Sequence, residues 1–546
     1  MPRYRLSGLR VDVVEPIDLA LVARFLKVPA GTLSGFRLLH RSLDARQKPR
    51  LVYEATVGFE SAAPIVAELS SPVSLEEESA AAPLPPLLPK VARQLRIAVV
   101  GTGPAGLFAA LALAEAGLRP LVLERGDAAE ERYRHVMRFW KGGDFDPESN
   151  VQFGEGGAGT FSDGKLTCGK RHDKIAVVLE TLHRFGAPDT VLYEAKPHIG
   201  TDRLVVVLRN LRRHLHERGV EIRYRAKVVD VVRNGGGSLR ALVLEGGEEV
   251  PVDLAVLALG HSARDTLERL LARGVAMTPK PFAMGVRIEH PQEAIDQIQY
   301  GRSSAAAGVA PADYKLTHAA SNGRGVYSFC MCPGGEVIAC SSEPGGIVTN
   351  GMSRFKRTSG FANSGLVVQT FPDDFAHLPG PPPLRGIAFQ RSIERAAFDL
   401  GGGTYAAPAI RVTDFLSRGA RRRSPRPLPR TTYTPDVVPA PLDGLFPVPY
   451  LEALAEGLLA FDRKMRGFVT DEAVLIAPES RTSSPVRLDR DAACESTSCP
   501  GLYPAGEGAG FAGGIVSAAL DGLRVARAIA SRISGENPGE TGGGTR

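Results

Sequence analysis

Gly101-Thr102-Gly103-Pro104-Ala105-Gly106 follows the apolar run RIAVV and opens the apolar run LFAALALAEA. Glycines at this spacing between a strand and a helix have separate tasks. The first permits the tight turn, the second lets backbone approach a pyrophosphate, and the third lets helix and strand pack closely. The helix start, with Pro104 and Ala105 in its first turn, offers unpaired N–H groups and a partial positive charge to phosphate oxygens. Glu124 stands 18 residues past Gly106, at the end of a second apolar run, with Arg125 next to it. A carboxylate there can accept from ribose hydroxyls and disfavours a 2′-phosphate.

Two further glycine clusters carry similar chemistry. GEGGAGTFSDGKL, residues 154–166, has five glycines. Such a stretch loses much backbone entropy on folding, so it suits a place where backbone presses on a ligand. Gly156, Gly157 and Gly164 can present N–H groups without a Cβ in the way, and Ser162 can add a hydroxyl. LYPAGEGAGFAGGIVSAALDG, residues 502–522, reads as strand, glycine turn and helix.

Candidate reactive side chains lie around these clusters. Arg481, in PESRTSSPVRL, could clamp a carboxylate or phosphate, a loop salt bridge being the ordinary alternative. Asp163 and Lys165 flank the second glycine cluster and are equally suited to structural pairing. His261 follows Gly260 at a strand end. Cys494 and Cys499 have a C-x4-C spacing similar to that of the dithiol reductases, whose pair however follows the first glycine motif; here it lies just before the last, so unpaired thiols are expected over a redox disulfide. Cys330 and Cys332, two apart on an expected strand, should face the same side; they lack the further ligands a metal needs, and no metal site is expected.

The elements that must position these groups divide the chain into six stretches. Residues 1–70 read as a small α+β unit and 71–93 as a Pro/Ala/Glu linker. Residues 94–275 carry strand–turn–helix grammar, 276–445 short strands with many prolines and glycines, and 446–534 the return of that grammar. The tail 535–546 reads as disordered.

Composition bounds the function. The chain has 546 residues, 43% of them hydrophobic, a globular composition for two or three domains. Net charge is +6, mildly basic, which favours anionic ligands without demanding nucleic acid. The runs HRSLDARQKPR (40–50) and SRGARRRSPRPLPR (417–430) lack interleaved aromatics, so solvated loops are expected and nucleic acid is not the expected partner. The opening MPRYRLSGLRVDVVEPIDLA has no apolar core, so no signal peptide is expected, and no apolar run is long enough to span a membrane. With six scattered cysteines, these features predict a cytoplasmic protein with reduced thiols. They leave the oligomeric state open.

The Gly101–Gly106 motif together with Gly156-Gly157-Ala-Gly-Thr-Phe-Ser162-Asp-Gly164 resembles the FAD-containing branch of the glutathione-reductase superfamily, although residues 125–153 make a longer connection than that pattern has. FAMGVRIEHPQ, NGRGVYSFCMCPGGEVIACSSEPGGIVTNGMSRF, RTSSPVRL and YPAGEGAGFAGGIVSAALDG are similar to bacterial proteins called uncharacterised FAD-dependent dehydrogenases, over nearly the whole chain. The resemblance implies FAD as cofactor. It places Gly260 at the end of a middle strand motif and Glu507, after Gly506, on the ribityl chain. It also implies that the helix beginning after Gly513 and Gly514, at Ile515, points at the flavin pyrimidine. The fold implied is a Rossmann-like α/β FAD domain in two sequence pieces, with an inserted β-rich substrate domain and a small N-terminal α+β domain. No second G-x-G-x-x-G occurs at 276–445, so NADH or NADPH would bind only transiently. The expected function is an FAD-dependent oxidoreductase acting on an anionic small molecule. The alternatives are a flavoprotein that binds or modifies RNA and a flavin-bound sensor without turnover.

Overall fold

The computed structural model describes all residues except 66, 68, 79–85, 93, 169–171, 173, 419–426 and 536–546. Most of the basic run at 417–430 and nearly all of the tail therefore lie outside the described residues.

The apolar runs around the first glycine cluster build a five-stranded parallel sheet in the order Leu502–Pro504, Leu254–Leu257, Ile97–Val100, Leu121–Leu123, Glu221–Arg223. Leu254–Leu257 and Ile97–Val100 are buried throughout, as strands covered on both faces must be. Helix Pro104–Glu115 is apolar nearly all round. It packs between the sheet and helix Ile515–Ser534, the last helix among the described residues. A Cβ on Gly106 would lie 1.9 Å from the Gly101 carbonyl oxygen, so only glycine lets this helix start against the turn. The α/β flavin-type domain in two sequence pieces is thus present as expected.

The second body is a seven-stranded sheet ordered Thr317–Ala319, Gly325–Cys332, Phe361–Thr370, Phe282–Pro291, Val474–Glu479, Ala407–Arg411, Val437–Pro439. Phe282–Pro291 alternates poorly because both faces are covered. This body reaches further along the chain than the sequence boundary at 445. Val474–Glu479 is an internal strand of the sheet. Helix Val448–Lys464 lays Tyr450, Leu454, Leu458 and Phe461 into the same core. The return to the flavin-type domain begins at Val486–Leu488, paired with Met277–Pro279. The texture of 446–482 is helix then apolar strand in either domain, so local pattern alone misplaces it.

The N-terminal unit is an antiparallel sheet, Leu33–Asp44, Val52–Ser61, Arg3–Asp12, Ser74–Glu78, over helix Leu19–Leu26, whose Asp18 cap accepts from the Leu21 N–H. Ser74–Glu78 falls inside the stretch read as linker. Its charged SLEEE forms an edge strand tied by Arg5 and Arg37 to Glu78. Charge on an edge strand also discourages pairing with another chain.

The seat of Val448–Lys464 on the β-rich sheet can be checked at Gly457, where a Cβ would come within 2.6 Å of Val326 Cγ1. Gly457→Leu should lower stability by about 1–3 kcal/mol through overpacking. Urea unfolding reads this directly, and an unchanged midpoint would unseat the helix from that sheet.

Candidate functional site

The carboxyl ends of the parallel strands and the inner edge of the β-rich sheet enclose a cavity of about 380 Å³. Strand ends at a topological switch are where open α/β sheets take ligands. Three glycine segments from distant parts of the sequence meet there: Gly101, Gly103, Pro104 and Ala105; Gly157, Gly159 and Ser162; Gly506, Glu507, Gly513, Gly514 and Ile515. Glu124, Arg125 and Gly260 complete the flavin-domain wall. The β-rich domain adds Phe329, Cys330, Asn350, Arg481 and Thr482.

Three of the expected backbone contacts do not line the cavity. Gly106 holds the helix against the turn, as described above. Gly156 faces Thr160 and Leu208, and Gly164 lies against the backbone of Gly200. Each serves close packing that positions the neighbouring segment.

A buried pair of charges organises the glycine loops. Glu124 lines the cavity, yet its carboxylate accepts from Thr102 N–H (2.9 Å), Thr102 Oγ1 (2.6 Å), Gly126 N–H (2.9 Å) and Gly154 N–H (3.0 Å). These four donors match the lone-pair capacity of a carboxylate. The acid expected to accept from ribose hydroxyls is instead filled by protein donors, and it staples the first glycine turn to the second glycine loop. Arg132, fully buried, donates to the carbonyls of Asn150 (2.7 Å), Val151 (2.8 Å), Gly154 (3.2 Å) and Glu155 (2.7 Å). Burial lowers its guanidinium to about 10, opposed by Glu124 and Glu155. No motif marks Arg132. Its signal in the sequence is only a basic residue on the buried stripe of helix Ala129–Trp140.

The reactive candidates fall into distinct settings. Arg481 lines the cavity, but its Nε and Nη2 donate to Glu394 (3.0 and 2.9 Å) and its Nη1 to Ser262 (2.9 Å) and Ser342. Arg264 grips the same Glu394 from the other side, so Arg481 is held in a buried ion network that leaves little of it for an incoming anion. His261 lines the wall beside this network. Burial, with Arg481 and Arg264, lowers its imidazole to about 3, so it is neutral. Asp163 lies behind the wall, fully buried, accepting from Ser353 and from Arg357 Nη2 (2.6 Å). Burial would raise its carboxyl, but Arg357 and Lys165 overcome this and hold it below the usual range. Lys165 reaches the cavity, 3.8 Å from Asp163. Burial pushes Glu507 up to about 7, against the attraction of Lys280.

The cysteines separate clearly. Cys494 and Cys499 sit in hydrophobic clusters on opposite faces of the five-stranded sheet. Cys330 faces the cavity. The pairing register slips between Phe329 and Cys332, and Cys330 takes φ +45°, so these two cysteines do not follow the simple alternation expected of a strand. Elsewhere, Asp127, His135 and Asp146 approach one another, but Arg225 donates to both carboxylates (2.8 and 2.7 Å) and occupies the space between them. In the basic run 40–50, Arg41 pairs with Glu194 and stacks on Tyr53, Arg46 pairs with Asp44, and Lys48 donates to the Ile298 carbonyl. None of the described helices is long and apolar enough to cross a membrane.

Residues 94–137 match the family described as FAD binding domain, 281–482 match the FAD-dependent protein, C-terminal domain-like family, and 17–60 match a domain of unknown function. An uncharacterised protein of Clostridium beijerinckii is 42% identical over 97% of this chain and 99% of its own length. The chain belongs to that protein's family, a family of FAD-dependent flavoproteins. Among solved structures, a flavin-dependent brominase is 12% identical over 82% of this chain and 81% of its own, with a TM-score of 0.36. A glycerol-3-phosphate dehydrogenase from Bacillus halodurans is 12% identical over 82% of this chain and 66% of its own, with a TM-score of 0.34. Overlaps this loose do not bear on the flavoprotein's chemistry.

Two measurements test the site's construction. Arg132→Leu takes a charged donor from four carbonyls, of which those of Gly154 and Glu155 keep Gly157 N–H and Thr160 Oγ1, and leaves Glu124 without its counter-charge, so urea unfolding should show a loss of about 3–5 kcal/mol. A loss within error of zero would remove Arg132 from this role. Glu507 ionises near 4.5 when unfolded and near 7 when folded. The folded state thus binds the extra proton in that window, and stability falls as pH rises through it. In flavin-free protein, Glu507→Gln should gain about 2–4 kcal/mol on its parent between about pH 4 and pH 8. A pH-independent difference would contradict the raised carboxyl.

Proposed function

We propose that this flavoprotein is an oxidoreductase of the glutathione-reductase type that holds FAD in the strand-end cavity and acts on a small molecule under the β-rich domain. The observation that carries the reading is a convergence of two helix starts. Pro104–Glu115 begins at Gly103 and Ile515–Ser534 at Gly514, neither with a side-chain cap, and both open onto the one cavity. Free N–H groups and helix dipoles suit the pyrophosphate at the first and negative charge on a reduced ring at the second. A Cβ on Gly513 or Gly514 would meet nothing within 4 Å, so the glycines there leave room that the protein itself does not fill.

In this reading Gly101, Gly103, Pro104 and Ala105 hold the pyrophosphate, Glu124 and Arg125 flank the adenosine ribose, and Gly157 and Ser162 line the ribityl path. Gly506 and Glu507 stand beside the ring system, and Gly260 closes the wall. FAD supplies two-electron redox chemistry when bound. The β-rich domain excludes water from one face and offers Asn350 and Cys330 to the substrate, and Lys165 reaches the same space from the flavin-domain side. Lys165, rather than the tethered Arg481, is the cation best placed to meet an anionic group. NADH or NADPH as a transient reductant remains part of the proposal. The RNA reading gains no support from the run at 40–50, where Arg41, Arg46 and Lys48 are engaged within the chain.

Gly513→Leu tests the assignment without touching the packed interior. FAD content of the purified variant should fall at least tenfold with unfolding of the flavin-free form unchanged; full retention of FAD would move the cofactor elsewhere. Anaerobic mixing of the yellow protein with NADH and NADPH then decides the direction: rapid bleaching makes it a reductase, and none makes the substrate the electron donor.

A further inference from the structure

Cys330 and Cys332 sit where the β-rich sheet meets the cavity, and their geometry is not that of two ordinary strand cysteines. An extended strand sets alternate Cα atoms about 6.6–6.8 Å apart, the outer edge of what a disulfide tolerates. Here the strand Gly325–Cys332 is kinked. Cys330 adopts φ +45°, a conformation rare for a side-chain-bearing residue, and the register with Phe361–Thr370 slips across it. The kink folds Cys332 back, so that its Sγ donates to the Cys330 carbonyl oxygen at 3.2 Å.

Their surroundings differ in a useful way. Cys330 lines the cavity; Cys332 is fully buried behind it. The neighbouring Cys332, with Lys165 and Arg287 nearby, lowers the Cys330 thiol against the effect of burial, while Cys330 and burial raise the Cys332 thiol well above its ordinary value. One sulfur is therefore exposed to the cavity and disposed to become a thiolate, and the other is held next to it as the resolving partner. Arg287 is itself fixed by Asn350 (2.8 Å) and by the Phe329 and Cys330 carbonyls (3.2 Å each), so the positive charge behind the pair does not move away. Cys330 also lies within electrostatic reach of Glu507, on the flavin-domain wall.

We propose that Cys330 and Cys332 are a two-electron redox pair that closes to a disulfide in exchange with the flavin held in the cavity. The inference rests on the FAD reading above and adds to it a second electron store on the substrate side. In one direction the two thiols lose their S–H bonds, form one S–S bond and release two protons and two electrons, which the oxidised flavin receives. In the other, the reduced flavin returns two electrons to the S–S bond, two protons are taken up and both thiols are restored. The cavity-facing Cys330 is the sulfur that would also exchange with a thiol or disulfide substrate.

The test uses the flavin-loaded chain. It is equilibrated anaerobically in glutathione buffers of graded poise, acid-quenched, alkylated after denaturation and digested. The peptide holding both cysteines should lose both alkylation sites together in a single two-electron transition. In Cys332→Ser, Cys330 should stay alkylatable or carry glutathione. Diamide-oxidised protein is then titrated with dithionite while the flavin absorbance is followed. The parent should take up twice the reducing equivalents per flavin that Cys332→Ser or Cys330→Ser takes up. Independent alkylation of both cysteines at every poise overturns the pair. A disulfide in the peptide map with no extra equivalents per flavin overturns the exchange with flavin. A chain purified without FAD overturns the cofactor reading instead, and the peptide map then still decides whether the bond forms.

Discussion

Glu124 and Arg132 are two opposite charges out of water, and the cavity depends on how they are satisfied. Isolated, either would be far too costly to bury. Together they accept from or donate to backbone groups at 102, 126, 150, 151, 154 and 155. Every one of these groups belongs to a loop without regular partners. The carboxylate collects N–H groups that the glycine turns leave unpaired, and the guanidinium collects carbonyls. Loops rich in glycine would otherwise carry a large entropy cost. Clamping them from both sides gives a rigid backbone surface where bulky side chains could not stand.

The same clamp explains the long connection between the first two glycine segments. Helix Ala129–Trp140 occupies it and carries Arg132 inward, while Trp140 donates from its indole to the Ala339 carbonyl at 2.9 Å. One end of this helix thus fixes the cofactor-side loops and the other is tied to the β-rich domain. The domains are further joined by Arg264 and Arg481 converging on Glu394. A buried carboxylate with two guanidinium partners is not a strong source of stability. Its geometry is specific, however, and it fixes where the β-rich wall stands relative to the strand ends.

What the sequence made legible follows from which interactions are local. The glycine turn after Ile97–Val100 and the helix that follows it are set by neighbours a few residues away, and the expected elements appear where the pattern puts them. The family resemblance carried the third segment, Gly506–Ile515, whose meeting with the first is a long-range event that spacing alone could not reveal. Arg132 and the staple role of Glu124 were not legible, and for Arg481 the salt bridge was the ordinary reading but its partner Glu394 was not, since each depends on partners brought together by the completed fold. The boundary at 445 failed for a related reason: Val474–Glu479 reads as an apolar strand in any sheet, and only its neighbours Phe282–Pro291 and Ala407–Arg411 decide which sheet it joins. SLEEE at 74–78 looked like linker because an edge strand held by cross-strand charges has the composition of one.

The electrostatics around the cavity divide it into two ends with different chemistry. Near the first helix start the protein supplies neutral N–H groups and an acid already saturated by donors, a surface suited to holding a phosphate and doing nothing to it. At the β-rich end the charges come in compensated sets: Asp163 between Arg357 and Lys165, Glu507 facing Lys280, and Glu479 facing Arg287 at 3.4 Å. Glu507 and Glu479 are both raised to about 7 by burial. Groups poised there change protonation at little cost near neutral pH. Glu507, Lys165 and Cys330 line that end of the cavity, and the other end is electrostatically quiet.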